Sequence, residues 1–474
     1  MSDVILDAAD GPVVPVHALL ESDVVAALDA APAFVKAFAA LSEFKGKAGQ
    51  MLVAPDQQGA ISAVYFGLGA GGDPMAFRTL AAKLPAGTYR IATAPPAMAA
   101  DQIALAFALG SYRFDRYKAS KGRTGGGEKP KLVAEGVDAA EVRQVAHACA
   151  LARDMINTPA NDMGPLQLET IAREIAEQHG ASIAVVTGDD LLSANYPAVH
   201  AVGRAADPAR GPRMIEIAWD GPKGDHGADK PLVCIVGKGV VFDTGGLDIK
   251  PSAGMRQMKK DMGGAAHALA LGRMIMAANL PVRLVLLTPV VENAISGDAM
   301  RPGDVLASRK GISIEVGNTD AEGRLILADA LTRACELKPA LTIDLATLTG
   351  AARVALGPQL PPFYTDDDAL AGQIEAAALA VSDPLWRMPL WKGYLDALDS
   401  DVAEIKNDPD GWAQAGSMTA ALFLQRFAPS GPDCGPWVHL DIFAWNPRNR
   451  QGHPAGAEAQ AIRGLYRMIR DRFA

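Results

Sequence analysis

Short apolar runs alternate with stretches of helical periodicity along most of this chain. In the first part, the pattern predicts strands at Ile61–Leu68 and Tyr89–Thr93, with a helix at Pro74–Leu84 between them. A second helix is predicted at Asp101–Tyr117, where apolar residues recur on one face. This order of elements is typical of a small α/β domain.

A break between two domains is predicted where the composition changes. Segment 119–130 has few apolar residues and a run of glycines, so we expect a loop or hinge there. A helix is predicted at Val137–Ile156 with Asp138 as its cap, and it stops before Pro159 because proline disfavours helix in the preceding residue. The predicted organisation is an N-terminal α/β domain at 1–136, a connecting helix at 137–156 and a larger C-terminal domain at 157–474.

The larger domain continues the alternation of strands and helices. Strands are predicted at Ile183–Val186, Met214–Ala218, Leu232–Val236, Arg283–Thr288 and Leu341–Leu345, and helices at Leu166–His179, Gly263–Ala278 and Leu325–Leu337. Alternation of this kind favours a mainly parallel sheet flanked by helices. The predicted fold class is therefore α/β, with a small N-terminal α/β domain and a larger C-terminal α/β domain around a mixed, mainly parallel central sheet.

Length, charge and composition narrow the class of protein. A chain of 474 residues exceeds the roughly 250–300 residues at which single cores stop growing, which favours two domains. The net charge of −9 argues against binding to nucleic acid or to an anionic membrane, since both attract clustered Lys and Arg. No apolar run approaches the ~20 residues of a membrane span, and the first residues lack the pattern of a secretory signal. Four cysteines without a CxxC pair are expected to be reduced thiols of a cytoplasmic protein.

Charged residues follow the buried strand predicted at Leu232–Val236. They are Lys238, Asp243, Lys250 and Asp261, and glycine pairs lie between and after them. Ligands of open α/β sheets bind outside the carboxyl ends of the strands, and glycines let a ligand approach the backbone. We therefore expect a ligand site at this edge of the sheet.

A second cluster of charged residues follows the strand-like run at Ile314–Val316. Asp320, Glu322 and Arg324 are spaced by two residues, so in an extended segment all three side chains point the same way. Converging carboxylates repel one another unless cations compensate. Hard oxygen ligands suit Mn, Mg and similar ions, and Zn accepts them as well. The two clusters together predict a divalent-metal site, and two ions that share carboxylates would form a hydrolytic centre.

Two other interpretations of the first cluster are weaker. Asp243-Thr244-Gly245 has the form of an aspartic-protease triplet, but that chemistry needs a second such triplet and the chain contains none. Gly237-Lys238-Gly239 suggests phosphate binding, but the spacing of a phosphate-binding loop is absent.

Five short strings around these charged residues carry a resemblance to a known family. They are Val236-Gly-Lys-Gly, Phe242-Asp-Thr-Gly-Gly, Ile249-Lys-Pro, Met258-Lys-Lys-Asp-Met-Gly-Gly-Ala-Ala and Asn318-Thr-Asp-Ala-Glu-Gly-Arg. In content, order and separation they resemble the leucyl aminopeptidase family, the dinuclear zinc or manganese aminopeptidases. The resemblance is strong from Asn157 to about Trp445 and slight in the first 130 residues.

The resemblance implies two divalent metal ions, Mn²⁺ or Zn²⁺, in each subunit. Lys238, Asp243, Asp261 and Glu322 would hold the tighter ion. Asp243, Asp320 and Glu322 would hold the more exchangeable one, with Asp243 and Glu322 shared. Lys238 would bind as the neutral amine, because a nearby dication and burial both lower its pKa. The ions would activate a water molecule, and the free α-amine of the peptide would bind the exchangeable ion.

The resemblance also implies roles for residues around the metals. Lys250 would stabilise the oxyanion, and Arg324 would hold a bicarbonate ion that acts as general base. Further residues would line the pocket for the first side chain and favour apolar residues such as leucine: Met258, Thr347 and Gly350. After His439-Leu-Asp-Ile this chain reads Phe-Ala-Trp-Asn-Pro-Arg-Asn-Arg-Gln-Gly-His-Pro, from Phe443 to Pro454, where a different glycine-containing segment is more usual in relatives, so the preference for leucine stays open.

The resemblance further implies a cytoplasmic homohexamer of two trimers that acts on peptides. A DNA-binding or architectural role, which some bacterial relatives combine with peptidase activity, is an alternative, and the acidic charge argues against it. A catalytically silent scaffold is a second alternative, and the complete set of expected ligands argues against it. The sequence leaves open which metal is physiological and which first residues and peptides are preferred.

Overall fold

A computed structural model describes residues 4–118, 128–222, 230–409 and 414–473. Packing divides the chain into two compact units: Met1–Ala150 with Asn446–Ala455, and Leu151–Trp445 with Gly456–Ala474. The division falls inside the helix that was predicted to connect the two domains. The loop predicted at 119–130 lies mostly outside the described residues.

The first unit contains a six-stranded sheet. Its strands are β1 (Ile5–Leu6), β2 (Val14–Leu20), β3 (Met51–Pro55), β4 (Ile61–Gly69), β5 (Thr88–Thr93) and β6 (Lys131–Val133). The strand order is β1-β6-β5-β2-β4-β3, and the pairs are parallel except for β3 with β4. The helices are α1 (Val24–Asp29), α2 (Ala33–Leu41), α3 (Phe77–Lys83) and α4 (Ala100–Gly110), with 3-10 turns at Glu21–Asp23 and Pro74–Ala76. The small α/β unit expected from the pattern is therefore present.

Helix α4 is shorter than its apolar pattern suggested. It ends at Gly110, so the prediction of a helix as far as Tyr117 was wrong. Glycine is a weak helix former, and Gly110 lies so close to Arg78 that a Cβ there would be 2.1 Å from the Arg78 carbonyl oxygen. Glycine at this position therefore permits the close approach of the two backbones.

A long helix, α5 (Ala139–Asn157), occupies the predicted connecting region. Asp138 caps its first turn, because the Asp138 Oδ1 accepts a hydrogen bond from the Glu141 amide at 3.0 Å. The helix ends two residues before Pro159, as the proline rule predicted.

The second unit carries the remaining strands of the chain. They are β7 (Ser182–Thr187), β8 (Arg213–Trp219), β9 (Leu232–Gly237), β10 (Gly239–Asp243), β11 (Arg283–Asn293), β12 (Val305–Leu306), β13 (Ile314–Glu315), β14 (Leu341–Ala346), β15 (Pro362–Tyr364), β16 (Trp386–Arg387), β17 (Ile405–Lys406), β18 (Trp437–Asp441), β19 (Trp445–Asn446) and β20 (Gly456–Ala457). The main sheet has the order β16-β15-β18-β14-β9-β11-β8-β7, with β10 beside β11. Its central strands β18, β14, β9 and β11 are parallel, whereas β8 and β7 are antiparallel. The mixed, mainly parallel sheet was correctly predicted.

Helices flank this sheet. They are α6 (Pro165–His179), α7 (Asp190–Ser193), α8 (Pro197–Gly203), α9 (Ser252–Met255), α10 (Gly263–Ala277), α11 (Glu322–Glu336), α12 (Gly350–Leu356), α13 (Asp368–Ala380), α14 (Gly416–Gln425) and α15 (Ile462–Phe473), with 3-10 turns at Pro208–Arg210, Met258–Lys260 and Lys392–Leu398. Across the described ranges, none of the helices has the length and apolarity that crossing a membrane requires.

Strand β9 and helix α10 form the centre of the second unit. All six residues of β9 are buried. A Cβ at Gly237 would lie 2.7 Å from the Cα of Ala265, and one at Gly264 would lie 2.1 Å from the Leu345 carbonyl oxygen. Glycine therefore lets α10 pack at backbone distance against β9 and β14. As a result, the beginning of α10 lies beside the carboxyl ends of both strands.

Two elements differ from the prediction in ways that shape the site. Strand β11 runs on to Asn293, beyond the predicted end at Thr288. Helix α11 begins at Glu322 and not at Leu325. The segment from 320 to 324 is therefore not extended, and the strand-like geometry assumed for it was wrong. A turn followed by the first turn of a helix brings the charged side chains together instead.

Candidate metal centre

Two of the predicted metal ligands lie at the carboxyl ends of parallel strands, and the other three lie in loops or at helix starts beside them. Lys238 directly follows β9, and Asp243 is the last residue of β10. Asp261 precedes α10, whose start is held against β9 by the glycines described above. Asp320 lies in the turn before α11, and Glu322 is the first residue of that helix. Four different loops therefore contribute to one edge of the sheet.

Lys238 is the buried centre of the first half of the cluster. Its Nζ lies 2.8 Å from Asp261 Oδ2 and 2.8 Å from Glu322 Oε1, and it donates a hydrogen bond to the Thr347 carbonyl at 3.2 Å. Neither oxygen of Glu322 has a hydrogen-bond partner in the described part of the chain, so its contact with Lys238 is an ion pair without hydrogen-bond geometry. Thr347 also fixes Asp261, because its Oγ1 donates to Asp261 Oδ1 at 2.8 Å.

Lys250 occupies the second, more open half of the cluster. Its Nζ lies 2.8 Å from Asp243 Oδ2 and donates a short hydrogen bond to Asp320 Oδ1. Its side chain is 14% exposed, whereas that of Lys238 is 3% exposed. The two lysines therefore divide the carboxylates between a closed side and a side that a substrate can reach.

Asp243 is oriented by the strand pairing of β10 with β11. The register places it opposite Asn293. Asn293 Nδ2 and the Gly245 amide both donate to Asp243 Oδ1, each at 2.9 Å. Because Oδ1 is satisfied by these two donors, Oδ2 is left to face Lys250 and the interior of the cluster.

The carboxylates perturb one another's ionisation. Burial, with the nearby charge of Asp243, raises the pKa of Glu322 to about 8 and that of Asp320 to about 6. Burial alone would lower the pKa of Lys238, but Asp261, Glu322 and Asp243 together outweigh it and raise the pKa. Burial would raise the pKa of Asp261, but Lys238 and Lys260 outweigh it and lower the pKa. Crowding of the carboxylates therefore favours the protonated form of Glu322 at neutral pH, and a cation bound beside it would oppose that protonation.

The same donors fit divalent cations. Oxygen atoms of Asp243, Asp320 and Glu322 all lie within 4.8 Å of one another. Among the described residues, Lys238 is the charged neighbour of both Asp261 and Glu322, with its Nζ 2.8 Å from Asp261 Oδ2 and 2.8 Å from Glu322 Oε1. Carboxylates placed together are the ligands that Mn, Mg and Zn accept. A dication bound by them would oppose protonation of Lys238, because it reverses the local field that now raises the lysine pKa.

Arg324 lies in the first turn of α11, two residues beyond Glu322. It is buried, and its Nη1 donates to the Asn407 carbonyl at 2.6 Å. Burial lowers the pKa of Arg324, with partial compensation from Asp408. Its Nε has no hydrogen-bond partner in the described ranges. The guanidinium therefore retains capacity to bind a small anion beside the carboxylate cluster.

The predicted pocket residues surround the start of α10 and α12. Thr347 is tied to Asp261, as described above, and Met258 accepts a hydrogen bond at its carbonyl from the Asp261 amide at 3.2 Å. Gly350 begins α12, and a Cβ there would meet nothing within 4 Å. Phe443, the residue that departs from the family pattern, has the Lys260 ammonium 4.9 Å from its ring centroid. Thr347 and Met258 are thus hydrogen-bonded to Asp261, whereas Gly350 lies beside open space.

Sequence reasoning missed three residues of this site. Asn293 orients the Asp243 carboxylate, and the Asn407 carbonyl holds the Arg324 guanidinium. Gly323 allows the Lys238 side chain to approach α11. Gly323 belongs to the family-like string that begins at Asn318, and its position directly after Glu322 was a usable signal. Asn293 and Asn407 become visible as site residues only when β11 and β17 are paired with their neighbours.

Comparison with protein families identifies the two units. Residues 150–466 match the cytosol aminopeptidase family, catalytic domain. Residues 14–125 match the M17 aminopeptidase, N-terminal domain.

Individual relatives and solved structures indicate the same family. A probable cytosol aminopeptidase of Syntrophotalea carbinolica is 41% identical over 377 residues, which cover 76% of this chain and 73% of the relative. The crystal structure of cytosol aminopeptidase from Coxiella burnetii has a TM-score of 0.90 and 40% identity, and covers 99% of this chain and 100% of that one. The bottromycin maturation enzyme BotP in complex with Mn has a TM-score of 0.84 and 33% identity, and covers 97% of this chain and 99% of its own.

The family matches and the two-domain fold together define a peptide-bond hydrolase, and the carboxylate cluster lies in its larger domain. The chain belongs to the cytosol aminopeptidase family. It is therefore a metal-dependent aminopeptidase, and the predicted family, fold and enzyme class are confirmed.

Proposed function

We propose that this enzyme removes the N-terminal residue from peptides with a free α-amine, using two divalent ions held in the carboxylate cluster. The observation that carries the proposal is the complete burial of Glu322, whose two carboxylate oxygens have no hydrogen-bond partner among the described residues. The Lys238 ammonium, 2.8 Å from Oε1, compensates this carboxylate only in part, because burial and the charge of Asp243 still raise the pKa of Glu322 to about 8. A further cation would favour the charged carboxylate over the protonated one.

Five residues would hold the ions. Lys238, Asp243, Asp261 and Glu322 would hold the tighter ion, and Asp243, Asp320 and Glu322 the more exchangeable one. When bound, the ions would lower the pKa of a water molecule and polarise the scissile carbonyl. Four carboxylates and one amine suit manganese or zinc, and the manganese complex of BotP favours manganese. To bind as a ligand, Lys238 has to release the proton that its neighbouring carboxylates now retain.

Lys250 would act on the carbonyl oxygen of the substrate. Asp243 and Glu322 outweigh the effect of burial and raise the pKa of Lys250, so the amine stays charged. The ammonium lies at the open side of the cluster. A charged, positioned donor of this kind stabilises the oxyanion that develops during attack on a peptide carbonyl.

Arg324 would hold a bicarbonate ion, which would supply a general base. A guanidinium stays protonated and is itself a poor base, so an indirect role fits its chemistry. One N–H group is used by the Asn407 carbonyl, and the Nε is unpaired among the described residues. That leaves a donor available for an anion next to Glu322.

The pocket for the first side chain would be lined by Met258, Thr347 and Gly350 and would favour apolar residues such as leucine. The open space beside Gly350 supports this, because a Cβ there meets no protein atom within 4 Å. The ring of Phe443 lies close to two basic side chains, with Lys260 Nζ and Arg353 Cζ at 4.9 and 5.2 Å from its centroid.

We further propose a cytoplasmic homohexamer. The names of the cytosol aminopeptidase relatives support the compartment. Large apolar side chains of the second unit, including Leu379, Trp386 and Trp391, are more than half exposed, which supports subunit contacts. Light scattering after size exclusion would measure the number of chains, and a monomer at working concentration would contradict the assembly.

The activity is tested with leucine p-nitroanilide and its N-acetylated form. We expect cleavage of the free-amine substrate alone, loss on chelation and recovery with Mn²⁺ or Zn²⁺. Glu322→Gln, which keeps the shape of the side chain but removes its charge, should bind less metal and lose activity. An exposed control, Glu177→Gln, should behave like the wild type.

Several outcomes would contradict the proposal. Cleavage of the acetylated substrate would show that the free α-amine is not required. Full activity after verified removal of metal would exclude the metal-dependent mechanism. Inactivity on a panel of amino-acid anilides and dipeptides, with metal bound, would exclude the proposed substrate class.

A further inference from the structure

Asn407 connects three parts of the site without itself being a predicted ligand. We propose that it is a positioning residue that holds the loop carrying Asp320 and thereby sets the affinity of the more exchangeable metal ion. The inference rests on the proposed function, because it assumes that two ions bind and that Asp320 contacts one of them. Asn407 itself is fully buried.

The side chain of Asn407 binds both sides of the Asp320 loop. Its Oδ1 accepts hydrogen bonds from the amides of Gly317 at 2.8 Å and Asn318 at 3.3 Å. Its Nδ2 donates to the carbonyls of Asn318 at 2.8 Å and Ala321 at 3.3 Å. One amide side chain thus uses donors and acceptor together to fix the backbone on either side of Asp320.

A small sheet delivers Asn407 to this position. Strands β13 and β17 pair in parallel, with Ile314 opposite Ile405 and Glu315 opposite Lys406. The Asn407 amide continues the pairing, because it donates to the Glu315 carbonyl at 3.0 Å. The Asp320 loop leaves β13 at the same place. The pairing therefore fixes the distance between Asn407 and the loop.

The backbone of Asn407 reaches the other functional group. Its carbonyl accepts the Arg324 Nη1 at 2.6 Å. Asp320 also has a local hydrogen bond, from its amide to Asn318 Oδ1 at 2.8 Å. Asn318 is in turn bound by Asn407 at both its amide and its carbonyl. Asn407 therefore positions both groups, the Asp320 loop through its side chain and Arg324 through its backbone carbonyl.

Selectivity between the two ions follows from which carboxylates are held. Asp320 belongs only to the proposed set for the exchangeable ion, whereas Asp243 belongs to both sets. Asn293 binds Asp243 at 2.9 Å, and Asn407 does not contact Asp243, Asp261 or Lys238 in the bonds found among the described residues. Loss of the Asn407 side chain should weaken the binding of the exchangeable ion alone, and loss of the Asn293 side chain should weaken the binding of both ions.

The test is titration of Mn²⁺ into metal-free wild type, Asn407→Ala and Asn293→Ala, followed by calorimetry or dialysis. For Asn407→Ala we expect about 10- to 100-fold weaker binding of the second equivalent and unchanged binding of the first. For Asn293→Ala we expect weaker binding of both the first and the second equivalent of Mn²⁺. Excess Mn²⁺ should restore much of the activity of Asn407→Ala. Because bound metal also stabilises the folded state, the stability of the metal-free variant has to be measured separately.

Controls separate this inference from other failures. Asn161→Ala, at an exposed residue bonded to Asp162, should match the wild type. Thermal unfolding of the metal-free proteins measures any general loss of stability. If Asn407→Ala does not fold, Asn407→Ser removes the same bonds while keeping a polar side chain, and the same selective loss is expected.

The metal titrations distinguish failure of this inference from failure of the proposed function. Equal weakening of both equivalents, or no weakening, in a folded Asn407 variant would overturn the inference while leaving the proposed function in place. A wild type that binds fewer than two ions would overturn the two-ion proposal and this inference with it. Selective weakening of the second equivalent with recovery at high Mn²⁺ would support both.

Discussion

Gly323 leaves the space that the side chain of Lys238 fills. A Cβ at Gly323 would lie 2.6 Å from both Cε and Nζ of Lys238. Within α11, alanine would otherwise be favoured over glycine by roughly 1 kcal/mol. We therefore expect Gly323→Ala to displace the amine and to weaken metal binding on the order of 10- to 100-fold, with a matching loss of activity at limiting metal.

A matched control exists for this substitution. Gly372 also lies inside a helix, α13, and a Cβ there meets nothing within 4 Å. Gly372→Ala should retain metal affinity and activity and should unfold at the same or a slightly higher temperature. Metal titration of both variants makes the measurement. If Gly323→Ala binds metal as the wild type does, the close contact with Lys238 is not required for the site.

Replacement of Lys250 by methionine removes the charged donor at the open side of the cluster. Loss of one oxyanion donor typically lowers kcat about 10²- to 10³-fold, and we expect Lys250→Met to fall in that range with little change in KM. Steady-state kinetics at saturating metal measures the effect. Lys310→Met, at an exposed lysine, is the control. Wild-type kcat in Lys250→Met would exclude the proposed role.

Gly350→Val tests the pocket for the first side chain. The space around a Cβ at this position is open, so the fold should accept valine. The added methyl groups should exclude large substrate side chains, and kcat/KM for leucine p-nitroanilide should fall on the order of tenfold relative to alanine p-nitroanilide. An unchanged ratio of the two values would remove Gly350 from the pocket.

The burial of His267 should make the free energy of unfolding depend on pH. Its ring is fully buried, with Nδ1 2.6 Å from the Gly263 carbonyl oxygen and Nε2 3.0 Å from the Gln460 amide. Burial lowers the pKa of His267 to about 4. Between that pKa and an unfolded value of about 6.5, the unfolded chain binds the extra proton. Stability should therefore fall as the pH drops from about 6.5 to about 4, by about 3 kcal/mol from this group.

The measurement is the apparent unfolding midpoint of wild type and His267→Gln across this pH range. The variant has a lower stability at neutral pH if the glutamine packs less well, but its midpoint should depend less on pH than that of the wild type. Parallel pH profiles for the two proteins would show that His267 does not titrate on unfolding.

The charged residues that the structure brings together in the cluster could be singled out from the sequence because their signal is local. Lys238 and Asp243 follow apolar strands directly, and the string from Asn318 to Arg324 is compact. The fold class followed from alternating periodicity in the same way. Helix ends were less predictable: α4 ends at Gly110, although the apolar pattern continues to Tyr117.

Residues that orient the ligands could not be found in this way. Asn293 acquires its role from the register of β10 with β11, and Asn407 from the pairing of β13 with β17. Neither pairing has a signal in the local sequence. The geometry at Glu322 was also misjudged, since a helix start replaced the extended segment that its spacing suggested.

The pairing of β13 with β17 also has a consequence for the order in which the site is completed during synthesis. Every proposed metal ligand has been translated once Glu322 is made. Asn407, however, binds Gly317 across 90 residues of sequence. A nascent chain that ends before residue 407 therefore contains all the ligands but lacks the strand that shapes the Asp320 loop. On the proposed two-ion mechanism, the site for the second ion is completed late in synthesis, and a chain that terminates soon after Glu322 lacks the Asn407 bonds to the Asp320 loop.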